Sequence, residues 1–215
     1  MNDKSSKRLV GILFLIGLFL AGSGCSRSIV VTVPPRVDLA AFQTIGVIDF
    51  SVTGSQPLGQ QATQSFLQQL QAAQPGVRVL ELGPAEKFSR ELLDPAGLRA
   101  IGEKYGVDAL LTGQLQVSEV KPDLRLSSAW NSLNANAYVN GALNAKLRET
   151  GRGATLWTNS VHGKWSVANI NLAANGPASF GLSNPEEKYG KMVAELSHAL
   201  CADFRPTYER RRISD

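Results

Sequence analysis

The chain is poor in the residues that do chemistry. Among its 215 residues there are two cysteines, Cys25 and Cys201, and two histidines, His162 and His198. Two thiols allow one disulfide at most, so no disulfide framework stands in for a core. A structural zinc site takes four ligands, and no Cys/His run places them by spacing. The glycine-rich phosphate loops and the G-x-S-x-G nucleophile turn are absent. An excess of one charge is missing as well. Residues 25–204 hold fifteen Lys/Arg and fifteen Asp/Glu, and the surplus of basic residues belongs to the two chain ends. A nucleic-acid footprint is therefore not expected. One long apolar run exists, Leu9–Leu20. Twelve residues rise about 18 Å as a helix, short of a bilayer core of about 30 Å.

That run has the flanks of an export signal. Lys4, Lys7 and Arg8 precede it, and Ala21-Gly22-Ser23-Gly24 and Cys25 follow. A basic start, a short apolar stretch and small residues are the three parts of a secretory signal. Residues 1–24 are expected to be removed. The site resembles a bacterial lipobox, which implies lipidation of Cys25. Ser26 rather than Asp after the Cys implies the outer membrane, with the domain facing the periplasm. The other reading is cleavage after Ser23, which would free Cys25 for a disulfide with Cys201 in the oxidising periplasm.

The remaining chain is long enough for one core. Ser26–Gln43, with Pro34-Pro35 inside it, reads as a linker, and its β-branched Ile29–Val33 as an edge strand. Thr44–Phe50 is an apolar strand, and Ser51–Gln56 a Gly/Ser turn. Leu58, Ala62, Phe66, Leu70 and Ala73 recur at helical spacing. Val77–Leu82 is a second strand and Pro84–Leu93 a short helix. Asp94-Pro95 and Gly106 bracket another helix as cap and stop. Tyr105–Val120 holds the centre. It runs apolar through Ala109–Leu111, then alternates Leu115 and Val117 against Gln114, Gln116 and Ser118, as a strand that emerges at a sheet edge. After a loop at Lys121–Leu133, two alternating stretches meet at the Gly151/Gly153 turn as an antiparallel hairpin. Val139, Leu143, Leu147, Trp157 and Trp165 share its apolar face. Asn136, Asn140, Asn144, Thr158, Ser160 and His162 share its polar one. Asn169–Ser183 reads as loop and Pro185–Asp203 as a closing helix, with a basic tail over 205–215. The fold class is thus α/β (α+β). It is a single three-layer domain over 44–204, with a mixed sheet ordered βαβααβ, then a hairpin and a C-terminal helix.

The strand ending Asp49-Phe50, then Gly106, Asp108, Ala109–Leu111 and Gly113, then Thr150-Gly151 before Trp157, resemble the motifs of a family of bacterial envelope lipoproteins. That family includes the curli-secretion channel lipoprotein and the penicillin-binding-protein activator lipoprotein, with the amino-terminal domain of TolB as a distant relative. The resemblance spans about Thr44–Ala202 and implies a non-catalytic domain serving an envelope complex. The channel member spans a membrane with long hairpins. Lys121–Leu133 and Asn169–Ser183 are too short for paired spanning strands of about 9–11 residues each.

Candidate chemistry is sparse. Asp49 and Asp108 sit at strand ends, where they are either paired carboxylates or caps. His198 and Cys201, three apart on one helix, could meet. No catalysis, cofactor or metal is expected. The expected partner is an envelope protein, met by Gln114, Gln116, Asn140 and Asn144 on the polar strand face. Arg210, Arg211 and Arg212 are the second candidate contact. A self-assembling export component and a periplasmic hydrolase are the alternatives, and homo-oligomers suit the first of these.

Overall fold

The computed structural model of the protein describes residues 28–54, 58–88, 94–126, 132–173, 179–181 and 185–213. These form two compact units, one from Pro34–Pro206 and one from the chain on either side of it.

The larger unit is built on a mixed sheet. Its strands are β2 (Ile45–Ile48), β3 (Ser51–Thr53), β4 (Val79–Gly83), β5 (Ala109–Val117), β6 (Lys121–Leu126), β7 (Ser132–Glu149), β8 (Thr155–Ala173) and β9 (Ser179–Gly181). The order is β4-β2-β5-β7-β8-β9, with β3 beside β5 and β6 beside β7. β2 runs parallel to both β4 and β5. β5, β7 and β8 are mutually antiparallel neighbours. The helices are α1 (Gly59–Ala73), α2 (Pro95–Tyr105) and α3 (Pro185–Leu200).

Crossover handedness sets the layers. The chain moves outward from β2 to β4 through α1, then back past β2 to β5 through α2. Right-handed crossovers in opposite directions put the two helices on opposite faces. Accordingly α1 and α3 share the main core with Ile45, Val47, Leu111, Leu115, Leu143 and Leu147. Leu98 and Ile101 of α2 pack on Ile48, Leu82 and Leu110 on the other face. The α/β class, the mixed sheet and the three layers stand as the sequence suggested. The bounds of α2 do too: Asp94 Oδ1 accepts from Gly97 N at 2.7 Å, and Gly106 ends the helix at φ 66°.

The main core is centred on rings. Phe50 and Phe66 lie 5.4 Å apart between centroids, Phe66 and Phe204 6.3 Å, and Phe204 and Trp157 4.7 Å. Such tilted pairs add about 0.5–1.5 kcal/mol each beyond the area they bury. The hairpin strand is held to the C-terminal turn by Trp157 Nε1, which donates to Asp203 Oδ2 at 2.9 Å.

Several expectations change. β5 lies in the middle of the sheet, not at an edge, because β2 and β7 flank it. Ser51–Thr53 is not a turn but a strand that extends the line of β2 along β5. Lys121–Leu126 pairs with β7, and β8 runs on to Ala173, so the two stretches read as loops are partly sheet. Within Pro84–Leu93, a one-turn 3-10 helix occupies Ala85–Lys87, and residues 89–93 lie outside the described residues. Residues 34–43 are no linker. Leu39 is fully buried, and Val37 N donates to Asp203 O. Gln74 ties this segment down: its Oε1 accepts from Leu39 N, and its Nε2 donates to the carbonyls of Val37 and Phe204. One amide side chain joins three chain segments whose backbone groups would otherwise be left without partners.

The smaller unit is a two-stranded antiparallel ribbon, β1 (Ser28–Val33) with β10 (Thr207–Arg212). The strand expected at Ile29–Val33 forms, but it pairs with β10 and adds no edge to the main sheet. The basic tail is not free chain but its partner strand.

Candidate functional site

Among the described residues, the face of the sheet that α2 touches is covered only at its parallel end. Along β5 it carries Leu110, then Thr112, Gln114 and Gln116. Leu110 is buried under α2, and Gln116 is exposed. The sequence changes from apolar to polar where the helix layer ends. Beyond that point the described residues place no helix on this face.

The register assembles the polar side chains expected from the alternation. Gln114 stands opposite Asn144, which stands opposite Ser160; Lys146 stands opposite Thr158 and Asn140 opposite Lys164. Gln114, Gln116, Asn140 and Asn144 therefore share one open face. β3 adds to it. Gln114 Nε2 donates to Thr53 Oγ1 at 3.1 Å, and Gln116 Nε2 to Gln114 Oε1 at 3.4 Å. At the far end Lys164 Nζ sits 4.1 Å from the centre of the Tyr138 ring. A cation over a ring face is worth about 0.5–1 kcal/mol when exposed.

Two hollows lie on this face. One, of about 290 Å³, opens beside the 3-10 turn. Ile48, Ala85 and Phe88 give it an apolar wall, and Asp49, Thr112, Gln114, Asn144 and Lys146 a polar floor. The other, of about 550 Å³, lies between Gln116, Asn140, His162 and Lys164. A shallow site with apolar wall and convergent amides can hold an extended polar chain: each amide both donates and accepts. Asp49, Ser51 and Phe88 had not been expected here. Ser51 and Phe88 reach the hollow only through the β3 pairing and the turn after β4. Lys146 was legible, since it continues the alternation of Asn140 and Asn144.

Other candidates separate. Asp49 and Asp108 are not a carboxylate pair. Asp108 is level with Thr44, five residues from Asp49 along parallel strands, so about 16 Å lies between them. Asp108 Oδ2 instead accepts the amides of Gln43 and Thr44, at 2.6 and 3.2 Å. Thr150 closes the same corner, its hydroxyl 2.8 Å from Val107 O and 2.9 Å from Asp108 O. The motif residues Asp108 and Thr150 are thus structural. His198 and Cys201 do not meet in a shared site. His198 is exposed against the Arg205 guanidinium, with Nη1 2.8 Å from Nε2. Cys201 is fully buried, its Sγ 3.8 Å from Phe66 O, and burial pushes its thiol up to about 12. Among the described residues no three His, Cys, Asp or Glu are placed to share a metal ion. His162 is exposed on the polar face, as the alternation implied. Arg210, Arg211 and Arg212 lie on β10 of the smaller unit. Cys25 lies outside the described residues.

No family model matches the chain, and no curated protein matches its sequence. Solved structures give looser likenesses. The chain is similar to the PelC dodecamer protein of Paraburkholderia phytofirmans at 14% identity and TM-score 0.43, covering 83% of this chain and 98% of that one. It is similar to lipoprotein GNA1162 of Neisseria meningitidis at 16% identity and TM-score 0.33, covering 72% and 97%. The C-terminal domain of LpoB from Escherichia coli gives 10% identity and TM-score 0.37, covering 59% and 87%. At such scores no role passes from these proteins to this chain.

Proposed function

We propose that the protein is an outer-membrane lipoprotein anchored through Cys25. Its periplasmic domain captures a protein partner on the open polar sheet face and serves an envelope complex as a non-catalytic accessory or assembly factor. The observation that carries this reading is the shared face of Gln114, Gln116, Asn140 and Asn144, with Gln116 and Asn140 exposed and Gln114 and Asn144 half-buried, beside the apolar wall of Ile48, Ala85 and Phe88. An interface needs an apolar anchor within a ring of satisfied polar groups, and this face offers both. The balanced charge of residues 25–204 favours recognition through amides over electrostatic capture. The tether is short: Val37 is twelve residues on from Cys25, a reach of about 40 Å when fully extended. The partner is therefore membrane-proximal.

Photo-crosslinking residues placed at Gln116, Asn140 and, separately, Arg211 in the native envelope test the reading. Adducts from Gln116 and Asn140 with one protein are expected. Adducts from Arg211 alone would move the contact off the sheet face. The anchor is tested on its own. The native protein should enter the detergent phase with the mass of a lipid, and Cys25→Ser should abolish both.

A further inference from the structure

The geometry points to a second contact surface: we propose that the β1–β10 ribbon docks on anionic phospholipid headgroups. Ser28 stands opposite Arg212, Val30 opposite Arg210 and Thr32 opposite Tyr208. Side chains alternate across a strand, so Val30, Tyr208, Arg210 and Arg212 share one face. Ile29, Val31, Glu209 and Arg211 share the other. On that second face charge is answered locally: Arg211 Nη2 is 3.3 Å from Glu209 Oε2. On the first face Arg210 and Arg212 have no ion-pair partner among the described residues, and no acid stands between them. Val30 is 62% exposed and Tyr208 70% exposed beside them.

A two-stranded ribbon with Ile29, Val30 and Tyr208 in water is marginal by itself, so this one needs a cover. The cover must meet two unpaired guanidinium groups, a phenol and a branched aliphatic side chain on one facet. Anionic headgroups over a glycerol and acyl boundary do so. Guanidinium binds phosphate oxygens bidentately. Tyrosine favours the headgroup level. The chain's own geometry delivers the surface there: Ser28 is three residues after Cys25, so the ribbon begins within about 10 Å of a lipid carried on Cys25. The pairing brings Arg210 and Arg212, from the far end of the chain, to that same place. The anchor of the preceding section gives the ribbon its setting, but binding to vesicles is measurable without it.

The test uses the mature chain from residue 25 with Cys25→Ser, which carries no acyl group. Its cosedimentation is measured with vesicles of phosphatidylglycerol and phosphatidylethanolamine, and with vesicles of phosphatidylcholine alone. Binding to the anionic vesicles only, weakened by added salt, is expected. Each basic residue near such a surface is worth about fivefold in partition. Arg210→Gln with Arg212→Gln should therefore lower binding roughly 25-fold. Arg210→Lys with Arg212→Lys keeps the charge and should retain most of it. Arg211→Gln should cost less than either arginine of the open face. Equal binding to neutral vesicles, no binding to either, or an unaltered partition in the double Gln variant overturns the proposal. None of these outcomes bears on crosslinks from Gln116 and Asn140, so the two surfaces stand or fall separately.

Discussion

The ring of Phe50 fills the space where a side chain on Gly113 would be. A methyl group placed on Gly113 would stand 2.7 Å from three carbons of that ring. Phe50 is 3% exposed and stacks on Phe66, so it has nowhere to retreat. Gly113→Ala is expected to destabilise the domain by about 1–3 kcal/mol, the usual cost of overpacking. Chemical denaturation at fixed slope measures it. A neutral substitution would mean that the ring is free to move.

Trp165 uses the same device one sheet position on. Its ring lies over Gly163, and Gly163 pairs with Gly141 across β7 and β8. Met192 and Leu196 of α3 close over Gly141, and Trp165 Nε1 donates to Glu195 Oε2 at 2.6 Å. Trp165→Ala should cost about 3 kcal/mol, at the lower end for aromatic truncation because the ring is half-buried. A loss under about 1 kcal/mol would show that the strand register is other than described. Trp165→Phe should recover most of the packing and lose only the hydrogen bond.

Cys201 gives a pH dependence with a definite sign. Burial raises its thiol from 9.0 to about 12, although Arg205 pulls the other way. Below pH 9 the thiol is protonated in both folded and unfolded chains and contributes no slope. Between about 9 and 12 the unfolded chain releases the proton and the folded chain keeps it. Stability then falls as pH rises, by up to about 1.4 kcal/mol per unit. Urea melts at about pH 8 and about pH 10 should show this fall in the native protein. The fall should be smaller in Cys201→Ala, whatever cavity that variant leaves. An identical pH slope in the two proteins would place the thiol in water. The folded thiol should also resist alkylation at neutral pH, since the thiolate is the reactive form and burial keeps Cys201 protonated.

What the sequence settled by itself is what local pattern can carry. A period of two on β7 and β8 sorted their side chains onto two faces, because every second residue of a strand points the same way. Gln114, Gln116, Asn140 and Asn144 were therefore legible as one surface, and so was Trp157 with Trp165 on the other. Asp94, Pro95 and Gly106 bounded α2, because caps act within a few residues. Neutrality between 25 and 204 was a matter of counting. Tertiary structure decided what depends on residues far apart in the chain. Residues 34–43 hold no periodic pattern, and only Gln74 and the core under Leu39 make them part of the domain. β5 read as an edge strand because its wet face implied one. It is central, and among the described residues α2 covers only its apolar start at Leu110. The pairing of β1 with β10 has no local signature in either strand: a strand carries its propensity in its sequence, but its partner is set by closing the whole chain between them, which turns a basic tail into half of a ribbon.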